Sequence, residues 1–315
     1  MKAMILAAGS GTRLLPLTGL RPKPLFPVYT VPLLGLTLRQ LKEAGVNDIV
    51  INTHHLNQKI ESYIQENTPA GVTVTLSHEP ALLGTGGAMK KVEAFWDNRP
   101  FIVTNGDIVH TIDLDAAYQY HRKSENTATL ILHQEPRYNQ VELDREGAIV
   151  GIRKERVMNP SSPTRSLAFT GIHILSPAVL REIPSGGYVD IIDVYLRLIS
   201  LGMRIGGYEV EGHYWCDIGT PSDYHRIHRD IYQGKVRLNH PFPATASSAV
   251  GRNTVLDGYV CLGENTTVGK NCRIRNSILW DGVEIQDNLT LEGCIIGDGV
   301  RVTQSLKDQM VVSSS

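Results

Sequence analysis

Met4-Ile5-Leu6-Ala7-Ala8-Gly9-Ser10-Gly11-Thr12-Arg13-Leu14-Leu15-Pro16-Leu17-Thr18, followed by Pro22-Lys23-Pro24-Leu25, is the stretch on which the fold turns. The apolar run Lys2–Ala7 reads as a buried strand. It feeds into a glycine-rich turn that ends on a cation, and a second cation follows on a proline-braced segment. A strand in that order delivers backbone N–H groups and two positive charges to a phosphate chain. The turn is not a P-loop, which needs Gly-Lys-Ser/Thr after four spacer residues. It is not a dinucleotide fingerprint either, because Leu14 stands where the third glycine belongs. A lone Gly-x-Gly is weak evidence, and an ordinary strand–helix turn would account for it. Arg13 together with Lys23 gives the segment its nucleotide-binding reading.

Outward from this stretch, strand-like and helix-like segments alternate to about residue 240. Leu33–Ala44 carries Leu34, Leu38 and Leu41 at helical spacing and stops at Gly45. Asp48–Asn52, Val72–Leu76, Phe101–Thr104, Thr127–His133 and Ala168–Leu175 read as strands. Leu56–Glu66, Ala88–Phe95 and Asp190–Leu201 read as helices. This alternation argues for an α/β sheet flanked by helices. After His240-Pro241-Phe242-Pro243 the character changes. Aliphatic residues recur every sixth position at Val250, Leu256, Leu262, Val268 and Ile274. After a slip they resume at Leu279, Ile285 and Leu291, then at Ile296 and Val302. Six-residue periodicity is the sign of a left-handed parallel β-helix, here of about three coils, whose ends need covering. The domains are expected at 1–240 and 241–315.

With 315 residues, of which 42% are apolar, the chain is long enough for a full core and two domains. A formal net charge of -1 gives no global field toward nucleic acid or anionic membrane, so phosphate chemistry must rest on local cations. The apolar start is too short for a signal peptide, and no stretch approaches the ~20 apolar residues of a membrane span. Cys216, Cys261, Cys272 and Cys294 show no Cys-x-x-Cys pairing, so neither a zinc site nor a disulfide framework is expected. The simplest reading is a reduced, cytoplasmic protein.

Three further segments carry candidate chemistry. In Leu82–Met89 three glycines precede a helical stretch, so backbone can close on a flat base, and Glu79 stands upstream as an acceptor for a base edge. A flexible loop at a helix start is the bland reading. Asn105-Gly106-Asp107 ends an apolar strand, where ligands of open α/β sheets bind. Trp215-Cys216-Asp217-Ile218-Gly219-Thr220-Pro221 places Asp217 before a helix entry; Asp and Thr also commonly cap helices there. Asp107 and Asp217 together form a two-carboxylate clamp suited to Mg²⁺.

In order, LAAGSGTRLLPLT, PKPLFPV, LGTGGAM, NGD, FTGIHIL and WCDIGTP span residues 3 to 221. This series resembles the sugar-1-phosphate nucleotidyltransferase (nucleoside-diphosphate-sugar pyrophosphorylase) family. The first block with PKP is the most specific. With its hexapeptide tail the chain looks most like mannose-1-phosphate guanylyltransferases and related bacterial enzymes, heptose-phosphate guanylyltransferases and N-acetylmuramate-phosphate uridylyltransferases among them. The resemblance implies a Rossmann-like mixed sheet of GT-A-like type with the β-helix appended. It implies that an NTP (GTP or UTP) and a sugar 1-phosphate yield an NDP-sugar and pyrophosphate, with Mg²⁺. Carried over by position, Arg13 stabilises the leaving pyrophosphate and Lys23 draws the reacting phosphates together. Leu6, Ala8, Gly9, Gly11, Thr12, Glu79, Gly84, Thr85 and Gly86 line the nucleotide. Asn105, Asn139, Lys154, Glu155, Thr170 and Gly171 line the sugar, and Asp107 and Asp217 hold the metal.

The chain departs from the family where the sugar is held. Many members carry Glu-Lys-Pro before the FTG segment; here the nearest match is Arg153-Lys154-Glu155-Arg156, and a related Tyr-Gly pair is Tyr138-Asn139. A uridylyltransferase acting on glucose 1-phosphate or an N-acetylated sugar 1-phosphate is therefore the alternative. A glycosyltransferase does not explain Arg13 with Lys23. An acyltransferase wants a histidine base, and no histidine follows His240. An inactive regulatory subunit is disfavoured by intact Arg13, Lys23, Asp107 and Asp217. The tail is expected to pack on the catalytic domain or on a second subunit of a homodimer.

Overall fold

The structure is a computed structural model that describes residues 1–153, 155–156, 163–238 and 248–313. The expected boundary at 240/241 and the candidate Lys154 lie outside the described residues. The chain forms two compact units. One joins Met1–Gly9 to Thr37–Trp215, and the other joins Ser10–Leu36 to Cys216–Ser315.

Among the described residues the first unit is built on a sheet of ten strands. Its strands are β1 (Lys2–Leu6), β2 (Asp48–Thr53), β3 (Thr73–His78), β4 (Phe101–Asn105), β5 (Ala128–His133), β6 (Asn139–Leu143), β7 (Ile149–Ile152), β8 (Arg165–Leu175) and β9 (Ile205–Glu209), with a two-residue strand Glu155–Arg156 at one edge. Its main path runs β7-β6-β8-β4-β1-β2-β3. β1 lies between β2 and β4, parallel to both. Ala3, Met4 and Ile5 are fully buried, as a central parallel strand covered on both faces requires. Helices Leu33–Glu43 (α1), Asn57–Asn67 (α2), Gly84–Lys91 (α3), Leu114–Lys123 (α4) and Ile191–Ser200 (α5) follow the expected alternation. α1 ends before Gly45, which takes the left-handed φ of 81° that favours glycine. α5 is capped by the Asp190 carboxylate, which accepts from Ile192 N at 3.0 Å.

β8 is long because its partners change along it. One edge pairs Arg165–Ala168 with β6 and Ile172–Leu175 with β4. The other edge pairs with β5, and that ladder shifts register between Phe169 and His173. Thr170 and Gly171 thus sit where the ladder opens, next to the carboxyl end of β4.

The second unit holds the tail. Its short strands pair in parallel, coil on coil: Val250 with Val268, Val268 with Ile285, and Ile285 with Val302. A second row runs Leu256, Ile274, Leu291, Leu306. Each step is three hexads or slightly less, so an all-parallel sheet curls into the expected β-helix. Leu262, Val268, Ile274, Leu279, Ile285, Leu291, Ile296 and Val302 stack in its buried core. Val250 and Leu256 are about two-fifths exposed (43% and 42%), because they belong to the terminal coil. The slip in the repeat has a local cause. Gly258 and Tyr259 of the first coil stand opposite the single residue Asn276, so the second coil is one residue short between Ile274 and Leu279. Corners are turned by Asn253, Asn271 and Asn288 at positive φ, and their amides link coil to coil at 3.2 and 3.1 Å. The four cysteines are free and buried. Among the described residues no helix is long and apolar enough to cross a membrane.

Candidate active site

In the first unit, candidate residues gather at the carboxyl ends of the parallel strands. Gly9 faces open space on its Cβ side. Gly106 donates to Leu6 O at 2.9 Å, which locks the Asn105-Gly106-Asp107 turn to the end of β1. Asp107 is half-buried. Gly171 has φ 83°, and a Cβ there would lie 2.6 Å from Asn105 Nδ2. The Asn105 amide therefore occupies the gap that glycine leaves in β8. We expect Gly171→Ala to cost about 1–3 kcal/mol of stability. If Asn105 lines the sugar, as the family resemblance implies, displacing it should raise KM for the sugar phosphate more than for the nucleotide. Denaturant unfolding and two-substrate kinetics check this, and an unchanged sugar KM would count against the placement.

Glu79 has a task within the fold. It is 1% exposed, and one oxygen accepts from Asn52 Nδ2 at 2.8 Å while the other accepts from Leu83 N at 3.0 Å. Asn52 Oδ1 in turn accepts from Ala7 N at 2.8 Å. This relay ties the end of β1 to the start of the LGTGGA segment. Sequence reasoning missed Asn52, whose signal is a lone amide at the end of the apolar run of β2. The LGTGGA glycines also differ from the expected loop, for α3 begins at Gly84 and encloses them. A Cβ at Gly84 would lie 2.6 Å from Val189 O, and one at Gly86 would lie 2.9 Å from Val189 Cγ1. Gly86 N donates to Val189 O at 2.9 Å. Close packing of the segment before α5 accounts for these glycines, and Thr85 travels with them in the first turn.

The residues expected to line the sugar are braced. Thr170 is fully buried, and its hydroxyl donates to Ile131 O at 2.8 Å. Its carbonyl accepts from Trp215 Nε1 at 2.9 Å. Asn139 accepts from Glu135 N and donates to Gln134 Oε1, both at 3.1 Å, closing the β5–β6 turn. Glu155 is exposed at the sheet edge. His133 and Tyr138 meet the Trp215 ring edge-on, with centroids 4.9 and 6.0 Å away. His133 Nδ1 shares a hydrogen bond with His213 Nε2 at 3.1 Å. Burial pushes His133 down to about 4 and lowers His213 as well, so both rings are neutral at pH 7 and add no cation here. Sequence reasoning missed this aromatic group beyond Trp215 itself.

In the second unit, Gly11 has φ 61°, and a Cβ there would lie 2.7 Å from Thr18 Cγ2 and 3.8 Å from Lys23 Cε. Glycine thus lets the turn fold back on the segment that bears Lys23. A 3-10 turn, Thr12–Leu14, buries Leu14 and leaves Thr12 and Arg13 exposed. A second 3-10 turn, Lys23–Leu25, follows Pro22. A Cβ on Gly219 would lie 3.1 Å from Asp217 Oδ2 and 3.2 Å from both terminal nitrogens of Arg13. The Arg13 guanidinium and the Asp217 carboxylate thus share the space that a side chain at Gly219 would take. The helix Pro221–Tyr232 (α6) is capped by Thr220, which accepts from Asp223 N at 3.2 Å and donates to the Asp223 carboxylate at 2.7 Å. Thr220 therefore caps, while Asp217 is left three residues upstream of that cap.

Comparison with known proteins now bears on this arrangement. The nucleotidyl transferase family profile matches residues 2–234, which contain every candidate residue. The chain belongs to the nucleotidyl transferase family. Residues 239–313 match the GMPPB C-terminal domain. A UTP–glucose-1-phosphate uridylyltransferase of Synechocystis sp. is 28% identical, over 97% of this chain and 87% of its own. A mannose-1-phosphate guanylyltransferase of Mycobacterium tuberculosis is 29% identical, over 93% and 82%. Among solved structures, a putative glucose-1-phosphate thymidylyltransferase from Bacillus anthracis superposes with a TM-score of 0.64 at 25% identity, covering 77% of this chain and 98% of that one. This nucleotidyl transferase family member is an enzyme that joins a nucleotide to a sugar 1-phosphate.

Proposed function

We propose that the enzyme is a mannose-1-phosphate guanylyltransferase, with GTP and mannose 1-phosphate as substrates. The observation that carries this reading is the match of the tail to the GMPPB C-terminal domain, beside a relative named for the same activity. The second reading, a uridylyltransferase of glucose 1-phosphate, is favoured by the Synechocystis relative, whose match covers almost the whole chain. A panel of GTP and UTP against mannose, glucose and N-acetylated sugar 1-phosphates, scored by pyrophosphate release, separates them. We expect GTP with mannose 1-phosphate to exceed every other pair at least tenfold in kcat/KM, about 1.4 kcal/mol of discrimination. Preference for UTP would move the assignment to the second reading, and no turnover with any pair would overturn both.

In the proposed reaction a sugar phosphate oxygen attacks the α-phosphorus of the NTP. The bond from that phosphorus to the bridging oxygen of the β-phosphate breaks, and its electrons leave with pyrophosphate. No covalent enzyme intermediate is needed. The obstacle is repulsion: two unit charges ~4 Å apart repel by ~4 kcal/mol at an effective dielectric of about 20. Catalysis is then positioning plus charge neutralisation. Arg13 takes the charge that develops on pyrophosphate, and Lys23 bridges the two reacting phosphates. Leu6, Ala8, Gly9, Gly11 and Thr12 form the nucleotide side, and Glu79 braces the Gly84–Gly86 segment from behind. Asn105, Asn139, Glu155, Thr170 and Gly171 form the sugar side, with Trp215 backing Thr170.

Asp107 and Asp217 are the residues we assign to Mg²⁺. Among the described residues no group of three or more His, Cys, Asp or Glu is gathered for a metal. Mg²⁺ takes one or two carboxylates with phosphate oxygens and water, and a carboxylate is what Asp107 and Asp217 each offer. When bound, the ion would supply charge neutralisation at the phosphates. Four free, buried thiols agree with a reducing, cytoplasmic setting.

A further inference from the structure

Arg21 lies in the turn between the two cations of the opening stretch, and its partners come from the far end of the chain. Its guanidinium donates to both oxygens of Asp298, at 2.7 and 2.5 Å, and to Asp281 Oδ2 at 2.5 Å. Asp281 and Asp298 hold equivalent places on successive coils, for Asp281 N donates to Asp298 Oδ1 at 3.2 Å. The Arg21 side chain is 16% exposed and lies over the Trp280 ring, 5.1 Å from its centre. Beside it Leu20 uses the space that Gly297 leaves, where a Cβ would come 2.6 Å from Leu20 Cδ1. Past Lys23, Phe26 packs edge-on against Trp280 with centroids 4.8 Å apart, and Pro27 O accepts from Tyr224 OH at 2.5 Å. The stretch from Arg21 to Pro27 is thus held at both ends by the β-helix and α6, and Lys23 stands within it.

We propose that Arg21 is a positioning residue: its clamp on Asp281 and Asp298 sets the place of Lys23, so the β-helix tail tunes the chemical step. This rests on the assignment of Lys23 to the reacting phosphates. The sequence separation explains the design. A short loop with few internal hydrogen bonds samples many conformations, and a bidentate, charge-assisted fork restricts it better than a single bond. An error of about 1 Å in a catalytic cation can cost up to ~10²-fold.

The test uses the full-length enzyme with Arg21→Gln, Asp281→Asn/Asp298→Asn, and the triple variant. Expected is a fall in kcat on the order of 10–10²-fold for each, with nucleotide KM within about threefold. The triple variant should be no worse than either alone, because both sets break one clamp. Hydrogen exchange of the amides of Leu25 and Phe26, which donate to Pro22 O and Lys23 O, should quicken at least ~10-fold in all three. Unchanged exchange and kcat, or losses that multiply in the triple variant, would overturn the clamp. If the parent enzyme itself releases no pyrophosphate with any pair, the functional reading fails instead, and the exchange data still decide whether Arg21 orders the loop.

Discussion

Arg13→Ala should lower kcat by about 10²–10³-fold, the loss typical of a preorganised group aimed at developing charge. Leu14 anchors the 3-10 turn in the interior while Arg13 is exposed, so the fold does not depend on the guanidinium. The unfolding temperature should therefore stay within ~2 °C of the parent, as for surface changes away from buried features. Both terminal nitrogens of Arg13 lie near the bare backbone of Gly219, with the Asp217 carboxylate alongside. Two nitrogens presented together suit bidentate capture of phosphate oxygens, which an ammonium reproduces only as a point charge. Arg13→Lys should accordingly recover part of the lost rate. Pyrophosphate release at saturating substrates gives the answer, and an alanine enzyme within about threefold of the parent would remove Arg13 from the mechanism.

The largest effect on stability is expected from Trp280→Ala, about 3–5 kcal/mol. Trp280 is fully buried in the β-helix, at the coil that faces the opening loop of its unit. Its Nε1 donates to Tyr224 OH at 3.2 Å, and its ring meets Phe26 edge-on. Truncation leaves a large cavity, strips Tyr224 of a donor and uncovers Arg21. Against a total of 5–15 kcal/mol, such a loss takes a large share of the protein's stability. Trp280→Phe should cost less, since it keeps most of the volume and loses the indole N–H. Urea unfolding followed by circular dichroism tests this, and a loss under ~1 kcal/mol would show that the coil closes around the gap.

Some features were legible in local sequence because their cause is local. β1 is read from an apolar run, and α5 from the helical stretch Asp190–Leu201. The β-helix core is read from hexads, since every coil repeats the same inward position. The slip after Ile274 was visible, while its cause, the single Asn276 where the coil before has both Gly258 and Tyr259, needed the coils laid side by side. The LGTGGA glycines show the opposite case. They read as an open loop awaiting a base, yet they lie inside α3 because Val189, a hundred residues on, fills the space their missing side chains leave. Glu79 reads as a free acceptor until Asn52 and Leu83 are seen to occupy both of its oxygens. His133 and His213 carry no shared pattern in the sequence, and only the strand ends bring their rings together.

By itself the sequence determined the reaction class and the two architectures. It does so because strand periodicity, hexads and ordered motifs are each written in neighbouring residues. Tertiary structure alone decided which glycines serve packing, that Glu79 is a brace, and that the segment from Ser10 to Leu36 shares a compact unit with the tail. The physical reason is distance along the chain. Arg21 meets Asp281 and Asp298 only after folding, and neither the charge of the arginine nor the hexads of the tail encode that they are partners.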